Sequence, residues 1–101
     1  MNPRQLQQMA QQMQRQMQKI QEELANETVE GTAGSYVSVT MNGHREIKAL
    51  RLAPEVVDPE DIETLQDLIV AAIQDANKKA QELAEQRLGP LTGGLKLPGL
   101  F

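Results

Sequence analysis

The sequence predicts an α+β fold in the order α-β-β-β-α, a three-stranded antiparallel sheet flanked by two long helices. Three observations carry it. Apolar residues recur at helical spacing near each end of the chain. Between them, "SYVSVTMNG" alternates apolar and polar residues as a strand does. Gly and Pro fall at the joints between these patterns.

The first helix is expected over residues 3–26. Asn2 precedes Pro3, an N-cap followed by Pro at the first helical position. Leu6, Ala10, Met13, Met17, Ile20 and Leu24 then follow at alternating steps of four and three. Met9 widens the stripe. The surrounding Gln, Arg and Lys are good helix formers. The stretch "QQMAQQMQRQMQKIQEELANE" is therefore an amphipathic helix of about 35 Å rather than a solvated low-complexity tract.

Three strands are expected at about residues 27–32, 35–42 and 44–52. Gly31 and Gly34 bracket the first turn. Val37, Val39 and Met41 line one face of the second strand, with Ser38 and Thr40 on the other. Asn42-Gly43 signals a two-residue hairpin turn with positive φ at both positions. In the third strand, apolar parity shifts near Ala49 between Ile47 and Leu50, which predicts a bulge.

The second helix starts within "VVDPED", with Asp58 as cap, Pro59 at the first position and Asp61 completing a capping-box-like arrangement. Its apolar stripe runs through Ile62, Leu65, Leu68, Ile69, Ala72, Ile73, Ala76, Ala80 and Leu83. Gly89-Pro90 is expected to stop it. Residues 1–88 then form a single domain, and residues 89–101 a flexible tail rich in Gly, Pro and Leu.

The chain has 101 residues, no Cys, no Trp, one Tyr and one Phe. Its core must be aliphatic and small, marginal for a monomer. A first helix of about 35 Å also outruns a sheet of short strands, so its surplus apolar length needs a second surface. A second copy of the chain is the expected cover. The stripe assigned to core or dimer interface comprises Met13, Met17, Ile20, Leu24, Leu65, Ile69 and Ile73. A Met-rich stripe also suits an adaptable peptide groove.

No enzyme is expected. His44, the only His, follows the hairpin turn and has no nucleophile at a recognisable spacing. Glu60, Asp61, Glu63 and Asp67 read as charges at a helix N-terminus rather than a cation site. "GTAG" is too short for a phosphate loop and lacks its Lys. No cofactor, metal or small-molecule substrate is expected. No membrane span or signal peptide is visible, so the cytosol is the expected location.

Net charge is −4, which by itself argues against a polyanionic partner. The distribution qualifies this. Residues 1–21 carry Arg4, Arg15 and Lys19 and no acid. Arg15 and Lys19 share a helical face. Lys78, Lys79 and Arg87 follow in the second helix. If the helices pack antiparallel, these six cations gather on projecting arms; alternatively they are ordinary solvated charges. Gln adds donors for phosphate oxygens without charge, which predicts backbone-directed contacts with a shallow salt dependence.

The chain resembles the YbaB/EbfC family of bacterial nucleoid-associated proteins over nearly its whole length. The resemblance rests on "MQKIQEELAN", "VEGTAGSYVSVTMNGHREIKALRLAPEVV", "LQDLIVAAIQDANKKAQE" and "LKLPGLF". Leu65, Asp67, Leu68, Ile69, Ala71, Ala72, Asp75 and Ala76 match the family pattern, while Gln66 and Gln74 stand where Glu and Asn are usual. The Gly-rich loop is lean, and the short leader that many members carry before the first helix is lacking. The resemblance implies a cytoplasmic, tweezer-like homodimer that binds duplex DNA with low sequence specificity and serves nucleoid organisation or gene regulation. It supplies no signature for the contact residues. On the charge map above, the DNA-binding candidates are Arg4, Arg15, Lys19, Lys78, Lys79 and Arg87. The competing function is a helical protein–protein adaptor using the Met-rich helix and the apolar tail.

Overall fold

A computed structural model of the chain describes residues 2–92. The order is α1 (Pro3–Asn26), β1 (Thr28–Ala33), β2 (Val37–Asn42), β3 (Ile47–Leu52), a 3₁₀ turn (Pro54–Val56) and α2 (Ile62–Thr92). The sheet is antiparallel throughout, ordered β1-β2-β3. The α-β-β-β-α expectation holds, and α1 has the predicted bounds. Its start is fixed by a capping box: the Gln5 N–H donates to Asn2 Oδ1 at 2.8 Å, and the Asn2 N–H to Gln5 Oε1 at 3.3 Å.

Register explains the core. Val37, Val39 and Met41 stand opposite Ala33, Gly31 and Val29 on one side, and opposite Leu52, Leu50 and Ile47 on the other. All nine therefore share one face of the sheet. The line Ala72, Ala76 and Ala80 of α2 lies on this face, over β1 and β2, and every residue of that line is fully buried. Burial of Val39 and Met41 contributes about 1.5–3 kcal/mol each. Leu65, Leu68, Ile69, Ile73 and Leu83 are half-buried along α2, and Ile62 is exposed.

Gly31 is the point of closest approach. A Cβ there would lie 2.3 Å from both the Ala72 carbonyl oxygen and the Ala76 nitrogen. The expectation that Gly31 brackets a turn is thus corrected. It is a strand residue whose missing side chain lets the helix backbone rest on β1, and the turn falls at Gly34–Tyr36.

Other local expectations are also corrected. The β2–β3 connection is not a two-residue turn. The Asn42 N–H donates to the Glu46 carbonyl and the Arg45 N–H to the Asn42 carbonyl, both at 3.0 Å. These bonds close a three-residue loop, Gly43–Arg45, with Arg45 left-handed at φ 64°. The predicted bulge is present: Thr40 pairs with Ala49 and Met41 with Ile47, leaving Lys48 as the extra residue. Asp58 closes a turn before α2, accepting from the Glu60 N–H at 3.0 Å, while Asp61 caps the helix by accepting from the Thr64 N–H at 3.3 Å and also accepts from the Thr64 hydroxyl at 2.7 Å. Gly89-Pro90 does not stop α2, which runs on to Thr92. Pro90 lacks the N–H that would bond Gln86, but Gly89 offers no Cβ to clash with the Pro ring. Residues 93–101 of the expected tail lie outside the described residues.

The molecule is elongated, 70 × 23 × 16 Å, with a radius of gyration of 18.9 Å. A compact domain of this length would have about 13 Å. The excess is largely α1, about 36 Å long, whose residues before Ile20 are all exposed.

Gly31→Val is expected to lower stability by about 2–3 kcal/mol or to prevent folding, because it wedges α2 off β1. A urea denaturation midpoint measures this. Wild-type stability would mean that the helix does not rest on β1 as described.

Candidate nucleic-acid interface

The arm formed by α1 displays two surfaces. Its apolar stripe is open: Met13 is 53% and Met17 38% exposed, Ile20 is half-buried, and Leu24 alone is fully buried. Its remaining circumference is mostly Gln, with Arg4, Arg15 and Lys19 exposed and no acid before Glu22. None of these three cations has an acidic partner among the described residues.

The root of the arm is fixed by the β2–β3 hairpin. The Gly43 N–H donates to the Leu24 carbonyl at 2.8 Å and to that of Glu27 at 3.1 Å. Asn42, fully buried, donates through Nδ2 to the Ala25 carbonyl at 3.1 Å and to Glu46 Oε1 at 2.8 Å. Its Oδ1 accepts from the N–H groups of His44 and Glu46 at 2.9 and 3.0 Å. His44 Nε2 lies 2.9 Å from the Gln21 carbonyl oxygen. The Asn42 amide, aided by Lys48 and by His44 and opposed by partial desolvation, holds the Glu46 carboxyl below the usual glutamate value.

The six predicted DNA-binding cations do not form one cluster. Arg87 lies at the root, bonded to Glu23 at 3.5 Å and in close contact with Glu27. Lys79 pairs with Asp75 at 3.1 Å and donates to the Glu30 carbonyl at 2.9 Å. Asp75 also accepts the Thr32 N–H at 3.0 Å. That bond, then Lys79 and Lys78, lowers the Asp75 carboxyl below its ordinary range against a small desolvation effect. Together Asp75 and Lys79 cover the outer edge of β1. Lys78 is exposed with no ion pair among the described residues. Arg4 is nineteen residues from Glu23, about 28 Å along the helix, so α1 and α2 meet at the root and do not run together along the arm.

A further basic group lies outside the six. "HREIKALR" places Arg45 at the loop, Lys48 at the bulge and Arg51 on β3. Arg51 pairs with Glu30 at 3.6 Å and Lys48 with Glu46 at 3.9 Å. Arg45 has no acidic partner among the described residues. The density of cations in that stretch is the sequence signal that could have found it.

Among the described residues, no group of His, Cys, Asp and Glu is arranged to hold a metal ion. None of their helices is long and apolar enough to cross a membrane.

Comparison with known proteins agrees with this architecture. The chain is 83% identical over 99 residues to a nucleoid-associated protein of Roseiflexus sp., covering 98% of this chain and 99% of that one. It is 67% identical over 102 residues to a nucleoid-associated protein of Chloroflexus aurantiacus, with full coverage of both. A nucleoid-associated protein of Geobacillus kaustophilus is 58% identical over 78 residues, 76% of this chain and 72% of that one. The crystal structure of the uncharacterized protein HP0035 from Helicobacter pylori shares the fold, with a TM-score of 0.81 at 23% identity over 92% of this chain and 99% of that one. The profile of the YbaB/EbfC DNA-binding family matches residues 1–95. With its sheet, its arm and these relatives in agreement, the chain belongs to the YbaB/EbfC DNA-binding family.

Proposed function

We propose that this chain is a nucleoid-associated protein of the bacterial cytoplasm that binds duplex DNA as a homodimer. It does so with low sequence specificity, altering DNA conformation and so serving nucleoid organisation or gene expression. The observation that carries this reading is the exposed α1 arm, with Arg4, Arg15 and Lys19 unpaired among the described residues, Gln between them and no acid before Glu22. Guanidinium and ammonium groups meet phosphates as charges, and Gln amides donate to phosphate oxygens without charge. Such contacts position a protein on the backbone and carry no base code. Lys78 is the α2 candidate that remains available. Lys79 and Arg87 contribute to DNA only by sharing or leaving their intramolecular partners.

Two apolar surfaces that nothing among the described residues covers support the homodimer. One is the α1 stripe. The other is the β3 end of the core face, where Ile47, Leu50 and Leu52 are 52%, 47% and 37% exposed because α2 covers only β1 and β2. The buried core of one chain is small, and domains of this kind usually share a core. A second copy would cover both surfaces, as isologous contacts do. The adaptor reading rests on the same exposed Met stripe, but gives no account of the acid-free arm.

Gel-shift titration on duplex DNA at several salt concentrations tests the DNA contact. Wild type is expected to bind at low salt. Arg15→Ala/Lys19→Ala should weaken binding about tenfold and flatten the salt dependence by about one unit of slope for each phosphate no longer neutralised. No binding by wild type, or no effect of the double change, would contradict the placement.

Sedimentation velocity tests the dimer. Wild type is expected at twice the 11.2 kDa chain mass at micromolar concentration. Met17→Lys should give a folded monomer, since it puts an unpaired charge into the shared surface at a cost of about 3 kcal/mol or more. A wild-type monomer at that concentration would overturn the proposal.

A further inference from the structure

We propose that the DNA surface continues from the α1 arm onto the β2–β3 hairpin, where Arg45 makes a further contact to the phosphate backbone. This rests on the DNA-binding reading above and assigns it a residue outside the helices.

Arg45 occupies the third position of the loop with φ 64°, and no other non-Gly residue among those described has a positive φ. A β-branch-free side chain tolerates this region, but Gly has no penalty there and Asn a small one. An arginine at a point where glycine fits the backbone without strain suggests a use for its side chain. Nothing in the described fold uses it, since Arg45 has no acidic partner and only its main-chain N–H is bonded, to the Asn42 carbonyl.

Its position makes that use specific. His44, one residue earlier, is held to the Gln21 carbonyl at 2.9 Å, and Gly43 to that of Leu24 at 2.8 Å. The loop is thereby fixed against the last turns of the arm. Gln21 lies two residues beyond Lys19, about 3 Å of helix rise but roughly 200° around the helix axis. Arg45 therefore adds a cation at the root of the arm, beyond Lys19 along its length and on the side of the helix to which the loop is tied. The one acid beside it in sequence, Glu46, is turned to the Asn42 amide and to Lys48. Lys48 adds a second cation at the bulge, and its 3.9 Å exposed pair with Glu46 is weak. A guanidinium suits a phosphate because its N–H groups match two oxygens at once.

The test uses the full chain and a fixed duplex, with gel shifts over a salt series and thermal melts of each variant. Arg45→Gly removes the cation and the backbone strain together. The expected result is a melting temperature equal to or above wild type, with DNA affinity reduced about threefold to tenfold and a salt slope shallower by about one to two. Arg45→Lys keeps the charge and should retain the wild-type slope. If wild type binds DNA and Arg45→Gly binds equally well with the same slope, the inference is overturned while the DNA-binding reading stands. Weaker binding together with a lowered melting temperature would assign Arg45 to the fold and also overturn it. Failure of wild type to bind at low salt would remove the parent reading and this inference with it.

Discussion

The hydrogen bonds that the β2–β3 hairpin makes to the end of α1 hold the molecule in its working shape. A helix leaves its last carbonyls without partners. Here the hairpin supplies them: Gly43 bonds the Leu24 carbonyl and Asn42 that of Ala25. Each left unsatisfied in a buried place would cost about 1–3 kcal/mol. Gly43 has to be glycine for this, since a Cβ would lie 2.6 Å from Leu24 Cδ2 and 2.9 Å from its carbonyl oxygen. The consequence is a cantilever. One end of α1 is locked to the sheet, and the rest, whose cations have no acidic partner among the described residues, is exposed.

The second constraint is the close seat of α2 on β1. Gly31, Ala33, Ala72 and Ala76 leave room for backbone to lie against strand. Asp75 and Lys79 then satisfy the outward Thr32 N–H and Glu30 carbonyl of the edge strand. This arrangement commits two charged residues to the fold and blunts one sheet edge. It also leaves β3 uncovered. Among the described residues no strand pairs with its outer edge, and its apolar face is open. The proposed dimer and the proposed DNA surface are thus consequences of one geometry: the helix that covers β1 cannot also cover β3 or accompany the arm.

What the sequence made legible was local. The 3–4 spacing and the Asn2-Pro3 start gave α1 its bounds, period-two alternation gave β2, and the parity shift at Ala49 gave the bulge. What it hid was non-local. Asn42-Gly43 looks like a tight turn because nothing nearby says that Asn42 bonds Ala25, seventeen residues away. Gly31 looks like a turn residue because its reason lies at Ala72 and Ala76. Arg87 looks like a free cation because its partners Glu23 and Glu27 are distant in the chain, whereas Asp75, the ionic partner of Lys79, stands one helical turn away and was there to be read. Asp58 and Asp61 both suit a cap; Asp58 closes the turn to Asp61, and Asp61 caps the helix. Arg45 is hidden for a related reason, since a left-handed φ at that residue follows from the loop length and not from the dipeptide.

The central claim is that DNA is met by the arm and its root rather than by the acidic start of α2. Backbone amide shifts of the isotopically labelled protein, followed as a short duplex is added, test it most directly. The account predicts the largest changes at residues 15–19 and 43–46, with residues 60–67 undisturbed. Changes confined to residues 60–67, or to the polar face of the sheet, would contradict it.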